Sequence, residues 1–93
     1  MTLSPKERKA LKAQAHKLEP VVLIGNKGLT AEVVAEIDRA LQAHELIKIR
    51  APGLERDDRE QALSDICEKT GAHPVQHIGK VLVVYRENPD QDD

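Results

Sequence analysis

The chain has 93 residues, room for one domain, with 40% hydrophobic and 32% charged side chains and a net charge of −2. One tyrosine, no phenylalanine and no tryptophan exclude an RRM-type or OB-type platform, which stacks bases on several exposed rings. The longest apolar runs, Val21–Ile24 and Val81–Tyr85, fall far short of the about 20 residues that a bilayer span requires.

Met1–Lys6 leads into charge rather than an apolar stretch, and Cys67 is the single cysteine. The expectation is a cytoplasmic protein with no membrane segment and no internal disulfide. The small net charge hides an asymmetry. Residues 1–50 hold nine basic and six acidic side chains, whereas residues 51–93 hold five and ten. Such a distribution on one domain allows a basic face despite the acidic total.

Ser4-Pro5-Lys6-Glu7 reads as a helix start, with Ser4 as N-cap, Pro5 at the first helical position and Glu7 completing a capping box. The helix is expected to run to about Ala15, burying Leu3, Ala10, Leu11, Ala15 and Leu18 and turning Arg8, Lys9, Lys12 and His16 outward. Val21–Ile24 reads as a buried strand, apolar on both faces. Gly25-Asn26-Lys27-Gly28 breaks it, and Thr30 caps a second helix whose apolar face is Val33, Val34, Ile37, Ala40 and Leu41.

Leu46–Arg50 alternates, with Ile47 and Ile49 toward the core and Lys48 and Arg50 on an open face. Asp57 or Asp58 is expected to cap a third helix, which packs through Ala62, Leu63, Ile66 and Cys67 and ends at Gly71. Pro74–Ile78 reads as an edge strand, Gly79-Lys80 as a type II′ turn, and Val81–Tyr85 as a central strand. The order α-β-α-β-α-β-β makes an α/β (α+β) domain with parallel pairing across the helices and an antiparallel hairpin at the end. One domain over residues 1–86 and an acidic flexible tail over residues 87–93 are expected.

The loop Gly25–Gly28 is the first candidate site. Glycine lets a backbone approach a ligand closely. The loop empties into a helix N-terminus, which favours an anion, and Lys27 adds a full charge. Lys48, Arg50 and the stripe Arg8, Lys9, Lys12 offer further positive charge from two other elements. With so few rings, phosphate contact is expected rather than base reading. Glu55, Asp57, Asp58 and Glu60 read as N-terminal charge on the third helix. Cys67, His73 and His77 match no common zinc spacing. No nucleophile triad or Walker-type loop occurs, so neither catalytic residues, a metal nor a cofactor is expected.

Several segments, in order, resemble the CRM domain and more closely the stand-alone bacterial YhbY family. They are Ala15-His16, Leu18–Val22, Ile24–Thr30, Glu45–Ile49 and Ile78–Arg86, a match extending over Leu3–Arg86. The resemblance implies a two-layer sandwich with a four-stranded mixed sheet of order 1-2-4-3, similar to the C-terminal domain of translation initiation factor three. It also implies RNA binding. Bacterial members associate with precursors of the large ribosomal subunit, and plant relatives assist group II intron splicing. The family's GxxG loop falls on Gly25, Asn26, Lys27 and Gly28, and its basic residues correspond to Lys9, Lys12, Lys48 and Arg50.

The chain departs from relatives that end in a basic extension, since it closes on Glu87–Asp93, which predicts weaker polyanion binding. The leading expectation is a monomeric, non-enzymatic partner of ribosomal RNA that assists large-subunit assembly. The alternative is an adaptor whose acidic half docks on a ribosomal protein or assembly factor.

Overall fold

The computed structural model describes residues 3–88. Helix α1 (Pro5–Ala15) precedes strand β1 (Pro20–Leu23), helix α2 (Ala31–His44), strand β2 (Leu46–Arg50), helix α3 (Arg56–Thr70), and strands β3 (His73–Ile78) and β4 (Val81–Tyr85). The sheet order is β1-β2-β4-β3. β1 runs parallel to β2, and β4 pairs antiparallel with both β2 and β3. This is the expected order of elements and strands.

The core forms on β4, where Leu82, Val83 and Val84 are fully buried. Their side chains alternate across the sheet. Leu82 and Val84 join Val22, Ile24, Ile47 and Ile49 beneath Ile37 and Leu41 of α2 and Ala62 and Ile66 of α3. Val83 joins Leu46 and Val75 against Leu11 and Ala15 of α1. The sandwich is therefore the sheet with α2 and α3, and α1 adds cover to part of the second face. That cover corrects the expectation of an open face at Lys48. The side chain is half-buried, and its Nζ donates to the Leu18 carbonyl at 3.1 Å.

Two apolar expectations are also corrected. β1 is an edge strand rather than a doubly buried one: Val22 is buried, while Val21 and Leu23 are 47% and 59% exposed. Beyond β1 the sheet has no further strand among the described residues, and α1 packs on β2, β3 and β4 rather than over Val21 and Leu23. On α1, Ala10 is exposed, and Leu18 lies past the helix end at 38% exposure.

Caps set the helix boundaries. Ser4 Oγ accepts from Glu7 N–H at 3.1 Å and Glu7 Oε1 accepts from Ser4 N–H at 2.9 Å. That backbone donor holds the Glu7 carboxyl below its usual range. Thr30 accepts from Val33 N–H at 3.2 Å. The N-cap of α3 is Glu55 and not Asp57 or Asp58. Arg59 N–H already bonds the Glu55 carbonyl at 2.9 Å, which places both aspartates in the first turn, where carboxylates favour the helix dipole. Gly71 ends α3 at φ +76°.

One residue, Glu45, joins α2 to β2 at φ 65°, ψ −52°, the strained geometry of a γ-turn. The end of β4 holds it there. Arg86 N–H donates to the Glu45 carbonyl at 2.9 Å, and Asn88 N–H donates to its carboxylate at 2.7 Å. The segment read as a tail thus begins docked on the end of α2, and residues 89–93 lie outside the described residues. The Arg86 guanidinium binds the Asp38 carboxylate at 2.6 Å and the Thr70 carbonyl at 2.8 Å, clamping α2 and α3 together. We expect Arg86→Ala to lower unfolding stability by about 2 kcal/mol, read as a drop in urea midpoint at constant m-value. Arg86→Lys recovers little of it, because an ammonium cannot reach all these acceptors at once.

Candidate nucleic-acid interface

The two glycines of Gly25-Asn26-Lys27-Gly28 serve different purposes. Gly28 N–H bonds the Gly25 carbonyl at 3.0 Å and closes a turn, and Gly28 sits at φ +75°, where a side chain is strained. Gly25 has no positive φ, and no atom lies within 4 Å of where its Cβ would stand. Its contribution is bare, accessible backbone. The loop feeds α2, whose Ala31 and Glu32 N–H groups lie outside the intrahelical ladder. Glu32 also places a carboxylate in that first turn, so the helix end attracts an anion less than the dipole alone would.

Strand register sets three loops side by side at one end of the sheet. Leu23 pairs with Arg50, Arg50 with Val81, and Val81 with Ile78. Ile24 N–H donates to the Arg50 carbonyl and Ala51 N–H to the Lys80 carbonyl, each at 2.8 Å. A side chain at Gly53 would run into the Asn26 amide oxygen, so the loop after β2 abuts the glycine loop. Asn26, Lys27, Arg50 and Lys80 are all exposed here. Gly79 takes φ +57°, as the expected hairpin turn requires.

Not all the sequence candidates converge there. Arg8 and Lys12 line a groove along β3 with Pro74, Val75, Gln76 and His77, at the opposite edge of the sheet from β1. The Nε of Arg8 is buried with no hydrogen-bond partner, so its stem serves packing. Lys9 is exposed on α1. Lys48 faces the same side as Arg50 but is engaged with Leu18.

Sequence reasoning missed Lys80, Arg56 and Arg59, which the hairpin and the start of α3 bring to the loop end. The available signal was topological: parallel strands finish at one end, where the returning hairpin turns. Arg59 is committed locally. Its Nη1 donates to the Leu54 carbonyl and its Nε to His77 Nε2 at 3.2 Å. An arginine can only donate, so His77 carries its proton on Nδ1 and donates it to Glu60 Oε1 at 3.2 Å. Exposed Glu55, Asp57 and Asp58 border this side.

Among the described residues no group of three or more His, Cys, Asp or Glu side chains could hold a metal ion. Burial pushes the Cys67 thiol up to about 11, which leaves it protonated at neutral pH and a poor nucleophile. The thiol of the unfolded chain ionises earlier. Cys67 therefore favours the folded state below its ordinary value of 9.0, and that contribution is lost as pH rises toward 11. We expect native protein to resist iodoacetamide at pH 8 and urea-unfolded protein to react, as read by intact mass.

The model of the CRS1 / YhbY (CRM) domain matches residues 3–86. Over 89 residues the chain is 44% identical to a protein of Pseudomonas aeruginosa named a probable RNA-binding protein, covering 96% of this chain and 86% of the relative. It is 45% identical to an RNA-binding protein of Haemophilus influenzae, covering 96% and 90% respectively. Among solved structures, a hypothetical protein of Staphylococcus aureus, described as a candidate RNA-binding protein, superposes with a TM-score of 0.86 at 31% identity, covering 98% of this chain and 95% of that one.

Proposed function

Because the chain belongs to the CRS1 / YhbY (CRM) domain family, we propose that it binds RNA through the phosphate backbone and assists assembly of the large ribosomal subunit without catalysing a reaction. The observation that carries this reading is the loop end of the sheet. Bare backbone at Gly25 stands beside the exposed cations Lys27 and Arg50, and among the described residues neither cation forms an ion pair. A phosphate approaching Gly25 meets main chain directly, Lys27 neutralises it, and Arg50 takes a neighbouring phosphate. Lys9, Lys12 and Arg8 on α1 extend the contact only to RNA long enough to pass around the molecule. The names of the Pseudomonas and Haemophilus relatives support the RNA class, and the family resemblance supports the ribosomal precursor as its source.

A second reading, protein docking, has one observation in its favour. Leu18, Val21 and Leu23 are exposed beside a cleft of about 680 Å³ lined by Ala13, Gln14, Leu18, Val21, His44 and Leu46. This places apolar contact on the β1 side rather than on the acidic half. Salt separates the readings, because phosphate binding weakens steeply with added salt and apolar docking does not.

Gly25→Asp puts a negative side chain into open space without straining φ. We expect it to reduce RNA affinity about tenfold or more with an unchanged melting temperature, while Gly25→Ala has a smaller effect. Equal affinity of a folded Gly25→Asp variant would remove the loop from the site. In lysate gradients, the protein is expected to sediment with immature large subunits and to leave them at high salt. Its presence only at the top of a low-salt gradient would count against the assembly role.

A further inference from the structure

The row formed by Lys27, Arg50 and Lys80 is a surface that no single element supplies. Three interstrand steps of about 4.8 Å separate β1 from β3, so the rim spans about 14 Å. The bonds from Ile24 to Arg50 and from Ala51 to Lys80 fix the backbone from which Arg50 and Lys80 project, and Lys27 projects from the adjoining turn closed between Gly25 and Gly28. The sequence marks Lys80 only as half of a hairpin turn, yet it lies across the strand from Arg50, whose partner Val81 it precedes.

Single strands are held differently, by rings that stack on the bases and by a continuous positive groove that tracks the backbone. This chain provides neither. Its one tyrosine, Tyr85, pairs with Leu46 and His73 at the opposite end of β4, about 13 Å of strand away from Val81, and is half-buried. The histidine nearest the hairpin, His77, is held between Arg59 and Glu60. The positive row is interrupted toward α3 by Glu55, Asp57 and Asp58. Arg59, whose guanidinium could replace a ring, is tied to Leu54 and His77.

From these observations we infer that the rim of Lys27, Arg50 and Lys80 recognises base-paired, helical RNA in preference to single strands. The inference rests on the RNA-binding reading above and names the substrate class for the same site. A double helix offers phosphates already arranged at fixed spacing, so charges carried on a fixed sheet end engage them without ordering a flexible strand. Contact is by shape and charge, and base sequence matters little.

Fluorescence anisotropy with the full chain tests this, using a labelled RNA hairpin and an unstructured RNA of equal length in low salt. The hairpin is expected to bind about tenfold tighter, with little change when its base pairs are permuted, and with a salt slope of about −3 for three phosphates. The double variant Lys27→Ala/Lys80→Ala, both exposed positions, is expected to lower hairpin affinity and to reduce the slope by about 2. Equal or tighter binding of the unstructured RNA overturns the helical assignment and leaves RNA binding intact. An unchanged double variant overturns the rim. Failure to bind either RNA overturns the RNA-binding reading itself.

Discussion

Burial of β4 on both faces is the constraint on which the rest of the molecule depends. Leu82 and Val84 need cover on one side and Val83 on the other, so helices must pack on both faces of the sheet. The same strand fixes the alignment of its neighbours. Pairing Val81 with both Arg50 and Ile78 levels the ends of three strands, and that levelling puts their loops on one rim. The geometry of the candidate site is thus a by-product of core register.

The cations of this protein divide by what they already do. Arg86 clamps α2 to α3, Arg59 secures the start of α3, Lys48 satisfies the carbonyl after α1, and the stem of Arg8 packs along β3. Lys27, Arg50 and Lys80 remain exposed at the sheet end. An overall charge of −2 therefore says little about the local field, because many of the acids lie on other surfaces. Glu32 at the start of α2 and the acids at the start of α3 border the positive rim.

Local chemistry was legible in the sequence and neighbourhood was not. The capping box at Ser4, the Thr30 cap and the Gly71 terminus depend on residues within a few positions of one another, and all three formed as read. Val21 and Leu23 were misread because apolar character reveals what prefers burial and not whether another element is there to supply it. Lys48 was read as open because nothing in its own strand says that the chain after α1 passes over it. Lys80 was overlooked for a related reason: its neighbour Arg50 is thirty positions away. The glycine loop lies between these cases, since its turn is local while its contact at Gly53 is not.

The central strand is also the last one in the described chain, and this has a consequence for how the protein is made. Until Val81–Tyr85 is synthesised, β2 has one open edge and β3 has no partner at all. Helices can form early, but the two hydrophobic clusters cannot close without β4. A nascent chain stalled before Val81 would expose an unpaired strand edge of the kind that invites association with other chains. The adhesive edge is closed only when β4 inserts between β2 and β3.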